Sequence, residues 1–151
     1  MHLPTPFQQF KVTSTLHTQT TSACNADAAT TFEQVFASPA ASFEQDINAL
    51  AHGFGTLILD TEFGNIYSRQ GLDLKTRELC IIASCAALGS TGEGALRMHV
   101  PAAIRAGATW AGIAEVLVQV SMAAGLPAAL NALKAAKSAY LESGLHNEVV
   151  K

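Results

Sequence analysis

Charged residues, aromatic residues and cysteine are all scarce in this sequence. Charged side chains make up 14% and aromatic ones 7% of the 151 residues. The nine Lys and Arg form no run and are outnumbered by twelve Asp and Glu, so the basic surface that nucleic acids require is missing. Cys24, Cys80 and Cys85 are odd in number and too few for a disulfide scaffold. These scarcities argue against a nucleic-acid partner and predict free thiols in a reducing compartment.

Long apolar runs are also missing. The longest weakly charged stretch, residues 106–132, is interrupted by one Glu, three glycines and a proline, a pattern that predicts two helices and a turn. The first residues of the sequence carry neither the charged region nor the apolar core of a secretion signal. We therefore expect no membrane partner and a cytoplasmic location.

Apolar residues as a class are, by contrast, abundant. They make up 49% of the sequence, which is high for an isolated domain with so little charge, and we expect part of this surface to be buried between identical subunits. A chain of this length fits a single domain. We predict an N-terminal arm over residues 1–28, a helical domain over residues 29–145, and a C-terminal tail over residues 146–151.

The apolar residues recur at helical spacing, and no alternation typical of strands occurs. The sequence therefore predicts an all-α bundle of about six helices. The predicted starts are indicated by residues that cap helices or occupy their first turns: Thr30, Ser42, Asp60, Asp73, Thr109 and Pro127. The last helix is expected to turn Leu130, Leu133 and Tyr140 towards the core.

Glu78 occupies an unusual position on the helix predicted over residues 74–88. On a helical wheel it falls between Leu74 and Ile82, inside the apolar stripe. Residues 79–87 carry no charge, so burial of this carboxylate is costly unless a partner lies opposite. Such a carboxyl group suits proton transfer, although it can equally be a structural group that hydrogen-bonds a helix end or joins an ion pair.

His99 lies beside the apolar stripe of the next predicted helix, on an edge of small residues that includes Ala102 and Ala103. These small side chains leave room beside the imidazole for a substrate. A histidine in such a position is more often a hydrogen-bonded core residue, but an imidazole titrates near neutral pH and is the natural partner of a buried acid. Glu78 and His99 are therefore the candidate catalytic pair.

Patterns of metal ligands and of nucleotide-binding glycines are missing from the sequence. Neither H-E-x-x-H nor C-x-x-C occurs, and the glycines within residues 89–94 follow a helix, with no Lys-Ser or Lys-Thr after them. Cys80 and Cys85 share one predicted helix, with Cα atoms roughly 8 Å apart and side chains about 140° apart, so they cannot form a disulfide. We expect no metal and no cofactor.

Several blocks between residues 63 and 132 resemble the carboxymuconolactone decarboxylase family. They are Phe63-Gly64-Asn65-Ile66-Tyr67-Ser68-Arg69, Gly71-Leu72-Asp73-Leu74-Lys75-Thr76-Arg77-Glu78-Leu79, His99, and Gly125-Leu126-Pro127-Ala128-Ala129-Leu130-Asn131-Ala132. The blocks span nearly half of the chain, and their order is fairly specific. The resemblance implies an all-α, alkylhydroperoxidase D-like fold that is built around a helical hairpin. It also implies a homo-oligomer, a trimer or a ring-shaped hexamer, that works without a cofactor.

The related alkylhydroperoxidase branch uses a C-x-x-C pair that precedes the histidine by four residues, and an upstream Glu completes its proton relay. Glu78 and His99 match that Glu and that His, whereas Gly92 and Ala95 stand where the two cysteines would be. The resemblance therefore does not extend to the thiol chemistry of this branch.

For the decarboxylase branch, the resemblance implies a small carboxylated lactone as substrate, a product of aromatic ring cleavage. Loss of CO2 would leave a dienolate, so His99 would donate to an oxyanion or return a proton, with Glu78 as its partner. Arg69 and Arg77 are the family-matching cations for substrate carboxylates, or else form surface or interface ion pairs. Two alternatives stay open: an alkylhydroperoxidase-like antioxidant protein and a non-catalytic oligomeric binding protein.

Overall fold

The computed structural model describes residues 25–145, which form seven α-helices and no strand. The all-α class is confirmed, with one helix more than the predicted six or so. The helices are α1 (Ala26–Phe36), α2 (Ala40–Leu50), α3 (Phe54–Ile58), α4 (Leu74–Ala87), α5 (Glu93–Arg105), α6 (Trp110–Ala124) and α7 (Leu126–Glu142). The predicted tail and all but the last four residues of the predicted arm lie outside the described residues.

Helix α1 begins earlier than its sequence pattern predicted. The prediction of a start at Thr30 is wrong, because the side chain of Asn25 caps the helix by accepting from the backbone N–H of Asp27 at 2.9 Å. Thr30 lies within the helix and donates its hydroxyl proton to the carbonyl of Ala26. A threonine can serve either as an N-cap or in such a bond to the preceding turn, so the capping-box pattern alone was ambiguous.

Helix α3 continues directly into a π-helical segment, Leu59–Ile66. The prediction that Asp60 caps a separate helix is wrong. Its carboxylate instead accepts from the backbone N–H of Asn25 at 2.8 Å and so fastens the start of α1. Single π-helical turns inside α-helices occur frequently at functional sites, and this one carries Glu62 and leads into Tyr67.

Helices α4 and α5 form a helical hairpin, as the resemblance implied. Asp73 caps α4 by accepting from the backbone N–H of Thr76 at 2.7 Å, which confirms the predicted start. A 3₁₀ turn over Gly89–Gly92 joins the two helices. At Gly92 the backbone approaches so closely that an added Cβ would lie 2.1 Å from the carbonyl oxygen of Cys85, so only glycine fits this connection.

The apolar interior consists of two clusters, and α5 contributes to both. The larger cluster joins α4, α5, α6 and α7 and includes Val100 of α5. The smaller one joins α1 to the π-helical segment through Phe32 and Phe63, and Ala102 of α5 packs on it. Around the axis of α5, His99 points between Val100 and Ala102, so its imidazole is placed where the two clusters meet.

Helices α6 and α7 leave an apolar groove at the surface. Leu130 was expected to point inward, but it is exposed and lines this groove with Val118 and Leu126, while Leu133 and Tyr140 are partly buried. The inward prediction is wrong for Leu130 because the alanines of α7 fill the contact with the core. Across residues 25–145, we find no helix that is long and apolar enough to cross a membrane.

Candidate active site

Glu78 of α4 and His99 of α5 are brought together across the helical hairpin. Oε2 of Glu78 lies 2.8 Å from Nδ1 of His99, within hydrogen-bond distance. The carboxyl group is fully buried, and the histidine residue is 5% exposed. The contact therefore fixes the plane of the imidazole and leaves Nε2 as the ring nitrogen that can face a ligand.

Tyr67 completes this arrangement from the end of the π-helical segment. Its hydroxyl donates to Oε1 of Glu78 at 2.5 Å, so both oxygens of the buried carboxyl group have partners. Burial, followed by the hydrogen bond to Glu78, raises the pKa of the Tyr67 hydroxyl. The tyrosine therefore keeps its proton and remains a donor. Glu78 is fully buried and does not line the cavity described below, so its contacts are with protein groups.

A second carboxyl group, that of Glu62, lies on the opposite side of the imidazole. Its Oε1 is 4.0 Å from Nε2 of His99, and its side chain is 34% exposed. Burial raises the pKa of Glu62, and the nearby Glu78 acts in the same direction, whereas His99 opposes it. The imidazole is thus flanked by one buried, fully bonded carboxyl group and one partly exposed carboxyl group.

A cavity of about 160 Å³ adjoins His99 and Glu62. Its wall is mostly aromatic, and the ring of Phe36 meets the imidazole edge-on, with centroids 5.2 Å apart. Ala95 and Met98 also line the cavity and are exposed to solvent, so it opens at the surface. The aromatic lining comes from Phe32, Phe36, Phe43 and Phe63. The space can therefore admit a small, largely apolar molecule beside His99 and Glu62.

Arg69 and Arg77 do not line this cavity. Arg77 is buried, and its guanidinium donates to the backbone carbonyl of Arg69 at 2.7 Å and lies over the ring of Tyr67, 5.4 Å from the centroid. Arg69 is exposed. Arg77 thus holds the loop before α4 against Tyr67, and a role of either arginine in substrate binding stays a prediction.

Cys80 and Cys85 are both free thiols on α4. Cys80 is exposed, whereas Cys85 is buried, and burial together with Glu62 raises the pKa of the Cys85 thiol. Nucleophilic cysteines need the thiolate, so this environment does not activate Cys85. Among the side chains of residues 25–145, no group of three or more His, Cys, Asp and Glu is arranged to hold a metal ion.

Comparison with known proteins places this chain in a family. The model of the carboxymuconolactone decarboxylase family matches residues 53–138, more than half of the chain. The chain belongs to the carboxymuconolactone decarboxylase family. The match includes α4, α5 and the π-helical segment, and therefore Glu62, Tyr67, Glu78 and His99.

Two relatives within this family illustrate the range of similarity. A protein of Paracoccus denitrificans, named as an uncharacterized 15.0 kDa protein in the nqo9-nqo10 intergenic region, is 46% identical over 85 residues, which are 56% of this chain and 63% of that protein. The 4-carboxymuconolactone decarboxylase of Acinetobacter baylyi is 34% identical over 106 residues, which are 70% of this chain and 78% of that enzyme. The chain thus spans less than two thirds of the first relative.

The roles of Glu62 and Tyr67 were missed by sequence reasoning. On an α-helical wheel, residues five apart point about 140° away from each other, so nothing suggested that these two share a site. The backbone N–H of Tyr67 donates to the carbonyl of Glu62 at 2.8 Å, an i→i+5 bond of π-helical type. Tyr67 lies within the family blocks given above, and this position was its signal in the sequence.

Proposed function

We propose that this protein is a cofactor-free enzyme that acts on a small carboxylated lactone by acid–base catalysis, in the manner of a 4-carboxymuconolactone decarboxylase. The proposal depends on one observation: His99 lines an aromatic cavity together with Glu62, on its Nε2 side, while its Nδ1 is held by the buried carboxyl group of Glu78. A ring that is oriented on one side and open on the other can exchange a proton with a ligand.

Decarboxylation of such a lactone needs few protein groups. The C–C bond to the carboxylate breaks, CO2 leaves, and the electron pair moves through the ring to the lactone carbonyl oxygen as a dienolate. His99 stabilises that oxyanion or returns the proton to carbon, and Glu78 holds the imidazole in place for either task. Tyr67 does not contact the substrate in this proposal. It acts through Glu78, to which its hydroxyl donates.

Arg69 and Arg77 remain the proposed cations for the carboxylates of the substrate. Arg69 is exposed to solvent, whereas Arg77 is buried and already donates to backbone carbonyl groups. We therefore expect Arg69 to contribute more to substrate binding than Arg77.

The thiol-dependent alternative lacks support from the geometry. The two cysteine positions of the alkylhydroperoxidase branch are Gly92 and Ala95, and Gly92 has no room for any side chain. The cavity beside His99, in turn, favours a protein that admits a ligand over one with a filled interior.

We further propose that the enzyme is a homo-oligomer, a trimer or a hexamer, located in the cytoplasm. The apolar groove between α6 and α7 supports association, because contiguous exposed apolar surface of this kind usually marks an interface. The free thiols Cys80 and Cys85 are in keeping with a reducing compartment.

The test of the proposed function is the variant His99→Asn. Asparagine can still donate to Glu78 from a position close to that of Nδ1, but it has no group at the position of Nε2. We expect kcat towards 4-carboxymuconolactone to fall by a factor of about 10²–10⁴, the usual contribution of an acid–base group. The far-UV circular dichroism spectrum should be unchanged.

The matched control is His52→Asn, at an exposed histidine between α2 and α3, which should keep full turnover. If His99→Asn and the parent chain turn over this lactone equally fast, the assignment of His99 fails.

A further inference from the structure

Glu62 and His99 face each other across a gap that a single ligand atom can fill. The 4.0 Å between Oε1 and Nε2 is too long for a direct hydrogen bond. An oxygen atom placed beside the gap can lie within hydrogen-bond distance of both groups at once. Within residues 25–145, the Glu62 carboxyl group forms no hydrogen bond, and its side chain is 34% exposed, so its oxygens are available for a ligand.

The rest of the cavity determines the charge that this oxygen can carry. The other lining groups are four phenylalanine rings, the thioether of Met98 and the methyl group of Ala95, and no Lys or Arg of the described chain is among them. A carboxylate here would meet Glu62, with Glu78 behind the imidazole, without a cation to balance it. A carbonyl oxygen can instead accept from a protonated carboxyl group, and a hydroxyl group can accept from a protonated carboxyl group or donate to an ionised one.

We propose that Glu62 is a second catalytic acid–base residue, and that its carboxyl group and Nε2 of His99 together hold one uncharged oxygen of the ligand, a lactone carbonyl or a hydroxyl. The inference deepens the proposed function and rests on it for turnover, but the binding it describes does not require turnover. A carboxylated lactone then enters with its carbonyl oxygen in the cavity and its carboxylates outside.

The two groups divide the proton transfers between them. When the C–C bond breaks and CO2 leaves, the dienolate oxygen takes the proton of the Glu62 carboxyl group and becomes a dienol. The dienol then returns this proton to the Glu62 carboxylate as the ring carbon takes a proton from protonated His99. His99 regains a proton from solvent, so the net change is the replacement of CO2 by a proton. The raised pKa of Glu62 supports the donor role, because it extends the protonated form towards neutral pH.

The experiment is a pH series of affinities for γ-butyrolactone, a neutral five-membered lactone small enough for a cavity of about 160 Å³. Chemical-shift titration of the full chain gives Kd between acidic and mildly alkaline pH. We expect the affinity to fall roughly five- to tenfold as Glu62 loses its proton, because the loss of about one hydrogen bond weakens binding by such a factor. Glu62→Gln keeps a neutral donor, so its affinity at alkaline pH should match that of the parent chain at acidic pH.

The other ionisable groups around Glu62 are His99 and Cys85, which the Gln variant retains, together with Glu78 and Tyr67. Any pH dependence that survives in Glu62→Gln belongs to them. Glu62→Leu should bind the lactone weakly at every pH, and Glu115→Gln, at an exposed carboxyl group of α6, should keep the parent profile.

A parent-like profile in Glu62→Gln overturns the proposal, as does undiminished binding by Glu62→Leu. If the lactone binds as expected and no lactone is decarboxylated, the binding inference stands and the proposed reaction fails.

Discussion

At the scale of single residues, the candidate site consists of four neighbouring side chains that make different contacts. Tyr67 donates to Glu78, Glu78 bonds Nδ1 of His99, and Glu62 faces Nε2 from the other side. Because each oxygen of Glu78 has a partner, the cost of burying this carboxyl group is offset within the site. His99 and Glu62 are the two of these groups that line the cavity, and the proposed chemistry is assigned to them.

The position of Glu62 predicts a pH-dependent cost in stability. The carboxyl group interacts with His99 of α5, with Glu78 and Cys85 of α4 and with Tyr67; burial and Glu78 raise its pKa, and His99 opposes. A carboxyl group whose pKa is higher in the folded state than in the unfolded state stays protonated up to a higher pH when the protein is folded. Stability is therefore lost as the pH rises from the unfolded pKa towards the folded one.

Glu62→Gln removes this loss. We expect the variant to have a higher Tm than the parent chain at pH 8, and the difference to disappear as the pH approaches 4. Thermal unfolding at a series of pH values measures this, with Glu115→Gln as the control for the loss of one exposed charge. A constant difference at every pH would mean that the effect does not come from ionisation of Glu62.

At the scale of elements, the hairpin of α4 and α5 depends on the close approach at Gly92. A Cβ there would meet the backbone of Cys85 at 2.1 Å, and backbone cannot rotate away as a side chain can. Two residues later, a Cβ at Gly94 would meet nothing within 4 Å. Substitution by alanine should therefore change the stability of the protein in opposite directions at these two glycines.

We expect Gly92→Ala to destabilise the protein by about 3 kcal/mol or more, at the upper end of overpacking effects. Gly94→Ala should stabilise it by up to about 1 kcal/mol, because alanine is the better helix former. Urea unfolding of both variants measures the free energies. Equal effects at the two positions would contradict the close approach. The same crowding implies that a C-x-x-C pair cannot be introduced at Gly92 and Ala95 without disturbing the hairpin.

Some elements that form the site lie within the segment matched by the family model, and others precede it. The family model matches residues 53–138, and this portion carries Glu62, Tyr67, Glu78 and His99. Three of the four aromatic cavity residues, Phe32, Phe36 and Phe43, come from α1 and α2, which precede the match. The candidate site residues therefore lie within the family region, while much of the aromatic wall of the cavity lies outside it.

At the scale of the whole molecule, the exposed apolar groove predicts how subunits associate. Leu126 lines the groove and is 76% exposed, and neighbouring Met122 is 86% exposed. We expect Leu126→Lys to shift the assembly towards monomer, because a lysine in an apolar contact must be desolvated. Sedimentation velocity measures the mass. Leu50→Lys, at a comparably exposed leucine of α2, is the control and should leave the assembly intact. A parent chain that sediments as a monomer at all concentrations would exclude this use of the groove.

Much of this architecture was predictable because it depends on local signals. Helical periodicity, the Asp73 and Thr109 caps and the glycines after the helices are read within one or two turns, and these predictions were confirmed for α4 and α6. Thr30 failed as a cap because threonine has a second hydrogen-bonding option inside a helix. Leu130 failed because the exposed side of an apolar helix cannot be distinguished from its buried side without the neighbouring helix.

The sequence by itself determined the all-α class, the family resemblance and the two residues, Glu78 and His99, whose types and positions are unusual for an apolar stripe. Only the tertiary structure decided that these two meet, that Tyr67 occupies the second oxygen of Glu78, and that Glu62 faces the open nitrogen of His99. The physical reason is that helix periodicity tells which residues share a face of one helix. Contacts between helices depend on packing, and the π-helical turn changes the periodicity itself.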